Sequence, residues 1–468
     1  MTSPLLQAQH IHFIGIKGWG MTALAQILKS LGKHITGSDV NEKFLTDAIL
    51  AALAIPVVES FHPDNIPPET EVIIASAAWG EDNPEIKAAR ARGIAFYHYP
   101  QALGEISQLK KSIGVAGTHG KTTTTALLAL ALADLGKDPL AIVGSQVPQF
   151  NNMNARSGKG EYFVAETCEY RRHFLNFHPF GLIITNIEED HLDYFHDLSD
   201  IISAFKEYVT RLPDNGILVA CIDSPAVKTL LSELSSNPRK VLTYGESPEA
   251  DIRMVNYTVG NELQSFQVQI GDQLHAFEML IPGKHNCLNA TSVIAMCYGL
   301  FYAEKQDQLF STLQQTIKNF ASTTRRLQRL GNYGKALVYD DFGHHPTEIK
   351  ATLNALKAFY PERKLIVSFM PHTYSRTQAL LEDFAQAFSD ADEVIIHDIY
   401  ASAREKPIPG VTGDNLAKRI GNYHPQVKFL TPGETEQYIV SQKDQDALFL
   451  TIGAGDNWKI SHSLMNYD

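Results

Sequence analysis

The stretch GVAGTHGKTTTTALLAL, residues 114–130, constrains the fold most. It passes from an apolar strand through two glycines into Lys-Thr and then into an unbroken helical pattern. The general phosphate loop carries a glycine five places before the one that precedes the lysine. Counting back from Gly120 lands on Val115, while Gly114 and Gly117 lie on either side. Two readings follow: a nucleotide loop of a special kind, or a glycine turn that caps a threonine-rich helix. The chemistry favours the first. Gly117 and Gly120 let backbone amides approach phosphate oxygens with no Cβ in the way. Lys121 supplies a point charge and Thr122 a hydroxyl for a metal ion, and the helix aims its N-terminal dipole at the anion. The candidate triphosphate set is therefore Gly117, Thr118, His119, Gly120, Lys121, Thr122 and Thr123.

The same alternation opens two further segments. IHFIGI reads as a strand, followed by Gly15, Gly18 and Gly20, a helix through MTALAQILKSLG with Gly32 as its C-terminal cap, and a second strand ending at Ser38 and Asp39. Strand, glycine turn, helix, strand is the start of a Rossmann-like unit. The third segment begins near RRLQRLG and alternates again through ALVYDDF, KLIVSFM, DEVIIHDIY and ALFLTIGAG. Between them, ADIRMVNYTVG and LQSFQVQIGDQLHAFEMLI predict a β-rich edge. A length of 468 residues exceeds one core. The expected fold class is α/β with three domains in series. These are a Rossmann-like N-terminal domain (1–108), a central P-loop domain with a mixed sheet (109–322) and a C-terminal Rossmann-like domain (323–468).

Composition narrows the function classes. The formal net charge is -12 and no basic run offsets it, so nucleic acid is not an expected partner. The N-terminus lacks the charged and apolar regions of a signal peptide, and no apolar run approaches a membrane span. Cys168, Cys221, Cys287 and Cys297 show no CxxC spacing and read as free thiols of a reducing compartment. The expectation is a cytoplasmic enzyme with no membrane partner, monomeric or homodimeric.

The displaced glycine carries a resemblance. GTHGKTTT resembles the shortened phosphate loop of the Mur ligases, ATP-dependent enzymes that build the peptide stem of the bacterial cell wall. GIKGWGMTALAQIL with GSD, TNIEEDHLDYF, PGKHNCLNA, TRRLQRLG, YDDFGHHPTEI, MPHTYSRT and IYASAREKPIPGV are similar to further motifs of that family, in the same order, and most similar to its L-alanine-adding branch. The resemblance implies ATP and magnesium (Mg2+) as cofactors, with UDP-N-acetylmuramate and L-alanine, or a peptide, as the partners to be joined. A carboxylate is phosphorylated and the acyl phosphate is then attacked by an amine.

Residue by residue, the resemblance implies magnesium ligation by Thr122, Glu166 and His191. It places adenine at Asn286 and Asn289, ATP at Arg325 and Arg326, the nucleoside sugar at Asp341, and the incoming amino acid at His344 and Arg376. The UDP-sugar would lie on Gly18, Gly20, Met21, Ser38 and Asp39. Some bland alternatives stand beside these: a helix cap at Asn286, a solvated arginine pair, and tight helix–strand packing by the N-terminal glycines. Asp39 would bind ribose if the glycines served NAD. ETCEYR stands where the L-alanine branch reads E-A-D-E-S-D, so the acidic positions are lost at Cys168 and Arg171, and Phe342 replaces a tyrosine. Lys206, fifteen residues after His191, lies where other Mur ligases carry a carbamylated lysine. The favoured alternative is a lysine whose stem lies over an apolar edge with its amine in water. Rival functions are a ligase that recycles a ready-made tripeptide, a nucleotide-sensing binding protein, and an NAD dehydrogenase.

Overall fold

The computed structural model describes residues 3–191, 194–234, 240–260, 262–401 and 405–466, apart from the side chains of 304–307. Leu192 and Asp193 of the TNIEEDHLDYF motif, and 402–404 of the IYASARE motif, lie outside the described residues.

The strands form three sheets, one in each expected segment. The first contains β1 (His10–Ile14), β2 (His34–Ser38), β3 (Val57–Val58), β4 (Val72–Ala75) and β5 (Ala95–His98). Its order is β3-β2-β1-β4-β5 and every pairing is parallel. Strands such as VIIA in β4 are buried along their whole length, as a sheet covered on both faces requires. The helix Trp19–Ser30 starts at Gly18 and follows Gly15, whose φ of +80° only glycine adopts freely. Gly32, at φ +85°, terminates it as expected.

The second sheet contains β6 (Lys111–Ala116), β7 (Leu140–Val147), β8 (Met153–Ser157), β9 (Tyr162–Glu166), β10 (Gly181–Ile184), β11 (Ile217–Cys221), β12 (Lys240–Gly245), β13 (Ile252–Gly260), β14 (Leu263–Ile270) and β15 (Gln273–Met279). Its order is β15-β14-β13-β12-β11-β10-β6-β9-β7-β8, and it is mixed, since β7 and β8 pair antiparallel. The expected β-rich edge is the β13–β15 end. The helix Lys121–Asp134 leaves β6 through the glycine loop, with Leu127, Leu128 and Leu132 fully buried. Each such leucine contributes about 1.5–3 kcal/mol.

The third sheet contains β16 (Gln328–Tyr333), β17 (Ala336–Asp341), β18 (Lys364–Phe369), β19 (Glu393–Ile396), β20 (Val427–Phe429) and β21 (Ala447–Ile452), in the order β16-β17-β21-β18-β19-β20. Only β16 runs antiparallel to its neighbour.

The chain divides into two compact units: Met1–Val255, Gln267–Phe277 and Leu288–Ile317 in the first, and Asn256–Phe266, Glu278–Cys287 and Lys318–Asp468 in the second. In the first unit the helix Trp19–Ser30 packs on β7 and β8. There Asn154 Nδ2 donates to the Trp19 carbonyl at 2.8 Å, and Gln26 bonds Asn154 Oδ1. Among the described residues no helix is long and apolar enough to cross a membrane.

Candidate active site

In the first unit, the loop between β6 and its helix is held by Thr185 and Asn186, just past the end of β10. Thr118 N donates to Asn186 O at 3.1 Å, His119 N to Asn186 Oδ1 at 2.9 Å, and Thr185 Oγ1 to His119 O at 2.6 Å. Gly117 has φ +133° and Gly120 φ +82°. A Cβ on Gly117 would stand 2.1 Å from Thr185 Oγ1, and one on Gly120 2.6 Å from Asn289 Oδ1. Both places therefore require glycine, and the loop presents backbone at the start of the helix. That is the arrangement a phosphate chain needs. His119 itself turns to Glu188, with Nε2 3.4 Å from Oε2, and Thr118 Oγ1 accepts from Glu188 N at 2.9 Å. Thr123 is buried in the first turn of the helix.

Lys121 folds its ammonium over the loop, donating to the carbonyls of Gly117 and Thr118 and pairing with Glu169 at 3.3 Å. Burial works against the charge, but Glu169, and less strongly Glu166 and Asp190, hold the ammonium above its ordinary range. Thr122 Oγ1 donates to Glu166 Oε2 at 2.8 Å. The glutamate reaches it because Gly144 on β7 leaves space: a Cβ there would fall 1.7 Å from Glu166 Oε1. His191 adopts the left-handed conformation, φ +56°, and its Nε2 lies 3.9 Å from Glu169 Oε1 and 3.7 Å from Asp190 Oδ2. The Tyr170 ring packs on its imidazole at 4.7 Å.

The fold thus gathers Lys121, Glu169 and His191 on one side and Thr122 with Glu166 on the other. Hydroxyl and carboxylate oxygens beside a phosphate cradle suit magnesium. Glu169, Gly144 and Asn186 are missing from the sequence-derived set. Glu169 stood in the ETCEYR motif, whereas Gly144 carried no local signal.

Around the N-terminal glycines the polar groups are engaged within the domain. Asp39 accepts from Lys17 N at 2.6 Å and Val40 N at 2.8 Å, and burial raises its pKa. Ser38 donates to the fully buried Glu85. Met21 is buried, and Gly20 lies against the Tyr99 ring, where a Cβ would come within 2.7 Å. Gly18 is roomier, with no atom nearer than 3.8 Å to a Cβ. Lys206, the carbamylation candidate, is 41% exposed and pairs with Glu233 at 3.1 Å, as a solvated lysine does.

In the second unit, Asp341 ends β17 and is buried. Its oxygens accept from Leu327 N and Gly343 N, both at 2.7 Å. Burial, opposed by Arg326, pushes its pKa up to about 6. Arg325 is no solvated arginine. It is buried, donating to Asp340 Oδ2 at 3.1 Å and to the carbonyls of Gly453 and Gly455. Arg326 lies over the Phe342 ring at 5.1 Å, with Glu348 at 4.0 Å. Asn286 is the third residue of the helix Lys284–Asn319 and so not its cap; its amide donates to Pro282 O at 2.8 Å.

His344 and Arg376 are linked through His372, which the sequence-derived set lacks although MPHTYSRT contains it. The His344 and His372 rings lie 5.8 Å apart, and His372 Nδ1 is 3.2 Å from Arg376 Nη1. His344 Nδ1 lies 3.1 Å from the Phe342 carbonyl. A carbonyl only accepts, so Nδ1 carries a proton and, in the neutral ring, the lone pair lies on Nε2.

Three family models match the chain in sequence order: "Mur ligase family, catalytic domain" over residues 10–111, "Mur ligase middle domain" over 115–297, and "Mur ligase, glutamate ligase domain" over 325–455. A UDP-N-acetylmuramate–L-alanine ligase of Desulfitobacterium hafniense is 42% identical over 459 residues, which cover 97% of this chain and 99% of that protein. The crystal structure of the UDP-N-acetylmuramate–alanine ligase MurC of Thermotoga maritima matches with a TM-score of 0.83 at 27% identity, over 98% of each chain. A murein peptide ligase of Psychrobacter arcticus shares the fold, with a TM-score of 0.72 at 23% identity over 98% of each chain. A phosphate loop with its carboxylates, and three models matched in order along nearly the whole length, lead to one conclusion: the chain belongs to the Mur ligase family and is an ATP-dependent ligase.

Proposed function

We propose that the protein joins L-alanine to UDP-N-acetylmuramate at the expense of ATP, in peptidoglycan precursor synthesis. The observation that carries the chemistry is the loop cluster, where Lys121 pairs with Glu169 and Thr122 bonds Glu166. The acceptor follows the Desulfitobacterium relative, whose name specifies L-alanine. The proposed division of labour is 1–108 for the UDP-sugar, 109–322 for ATP and 323–468 for the amino acid.

Phosphoryl transfer asks for positioning and charge neutralisation. The amides of 117–123 bind the phosphates, and Lys121 leaves its own loop carbonyls for the β- and γ-phosphate oxygens. Thr122, Glu166 and His191 would hold magnesium, which supplies charge neutralisation for the transfer. Asn286, Asn289, Arg326 and Asp341 serve the nucleoside end, and Gly18 with the start of its helix serves the UDP diphosphate. Arg376 grips the α-carboxylate of the amino acid as a planar fork. His344, with its lone pair on Nε2, takes the proton from the amine.

The test offers L-alanine and the L-alanyl-γ-D-glutamyl-meso-diaminopimelate tripeptide in competition, with UDP-N-acetylmuramate and ATP, and reads the product mass. L-alanine should be incorporated in strong excess. Preferential incorporation of the tripeptide would replace this proposal with the recycling activity.

A further inference from the structure

Beneath the loops that carry His372, Arg376 and Tyr400, three side chains without solvent exposure tie strand ends together: Ser368 on β18, His397 just past β19, and Asn457 after β21. Ser368 Oγ is 2.7 Å from His397 Nε2 and 3.1 Å from Asn457 Oδ1. His397 Nδ1 lies 2.8 Å from the Leu430 carbonyl. Asn457 Nδ2 donates to Ser368 O at 2.6 Å and to Ile452 O at 3.1 Å.

The proton inventory of this cluster is nearly fixed. Leu430 O only accepts, so Nδ1 carries the imidazole proton; burial disfavours a second one, so Nε2 accepts from Ser368. Both protons of the Asn457 amide go to carbonyls, which turns its oxygen toward Ser368. The single hydroxyl proton of Ser368 therefore faces two buried acceptors and goes to the nearer, His397 Nε2 at 2.7 Å against 3.1 Å for Asn457 Oδ1. Removing it leaves His397 Nε2 buried without a donor, a costly state in a dry interior.

The strand ends continue directly into the candidate amino-acid loops. His397 N donates to Phe369 O at 3.0 Å, Tyr400 N to Pro371 O at 2.8 Å, and Thr373 N to Tyr400 O at 3.0 Å. His372 then stacks on Tyr400 at 6.0 Å and contacts Arg376 at 3.2 Å. Gly455, two residues before Asn457, packs so closely that a Cβ would come within 2.7 Å of Tyr400.

We propose that Ser368, His397 and Asn457 are positioning residues for the amino-acid site, fixing the loops that place His372 and Arg376. The inference rests on the reading of Arg376 as the amino-acid clamp. Its test measures KM for L-alanine, ATP and UDP-N-acetylmuramate in Ser368→Ala, His397→Asn and Arg376→Ala. The 15N spectrum of the histidine rings is recorded in wild type, with His397→Asn identifying the resonance.

Folded Ser368→Ala and His397→Asn should raise KM for L-alanine by roughly fivefold or more, the loss of a geometry-setting hydrogen bond, with KM for ATP within about twofold. His397 should be neutral with its proton on Nδ1. Unchanged KM for L-alanine in both variants, while Arg376→Ala raises it, overturns the positioning role alone. Equal rises for all three substrates, or a His397 proton on Nε2, overturn it too. An Arg376→Ala enzyme with unaltered KM for L-alanine would remove the clamp reading and this inference with it.

Discussion

At the scale of single residues, Gly144 governs where Glu166 can stand. A methyl group at 144 would occupy the place of Glu166 Oε1, 1.7 Å away, and push the carboxylate off Thr122. Gly144→Ala should therefore lower kcat by at least about tenfold and raise the magnesium concentration needed for half-maximal rate. Steady-state rates over a magnesium series check this. Asp341 gives a second prediction. Its folded pKa, about 6, lies above the ordinary 3.8, so the folded state binds its proton more tightly than the unfolded chain does. Its contribution to stability is thus greatest below 3.8 and is lost as pH rises through about 6. The melting temperature of wild type minus that of Asp341→Asn should rise as pH falls through that window. A flat or opposite difference would refute the assignment. Lys121 and Thr122 were legible in the sequence because loop chemistry is local. Gly144 was not, since its meaning depends on a carboxylate brought from another strand.

At the scale of elements, the helix Leu198–Val209 shows what periodicity can deliver. Ile202, Phe205 and Val209 are buried and Lys206 faces outward to Glu233 on the helix Pro225–Glu233. Both partners are nearly half exposed, so the pair contributes little. Lys206→Ala should keep wild-type rates with or without bicarbonate, and the intact mass of the native protein should carry no carbamate. Loss of activity restored by bicarbonate would contradict this. Arg325 shows what periodicity misses. TRRLQRLG presents two adjacent arginines of equal appearance, yet one is buried against Asp340 and two glycine carbonyls while the other lies over Phe342. Removing one partner of a buried pair costs about 3–5 kcal/mol. Arg325→Ala should lower the stability of the second unit by that order in denaturant melts, whereas Arg326→Ala should change it little and act on catalysis.

For the molecule as a whole, the repeated strand–turn–helix pattern was enough to divide the chain among three sheets and to place the β-rich edge at β13–β15. Strand order was not legible. β21 inserts between β17 and β18 although more than 75 residues separate it from either, and no local pattern records such a crossover. The joining of the catalytic groups was half legible for the same reason: the motifs named Lys121, Glu166, His191, His344 and Arg376, while the fold added Glu169 and His372 as their links.

The central claim is that this loop drives ATP-dependent attachment of L-alanine to UDP-N-acetylmuramate. It is tested most directly by phosphate release from ATP in wild type and Lys121→Ala, given UDP-N-acetylmuramate with L-alanine, L-serine, glycine or the tripeptide in turn. Wild type should release phosphate only when both UDP-N-acetylmuramate and an acceptor are present, fastest with L-alanine, and folded Lys121→Ala should release almost none. Release that L-alanine does not stimulate, or comparable release by Lys121→Ala, would contradict the account.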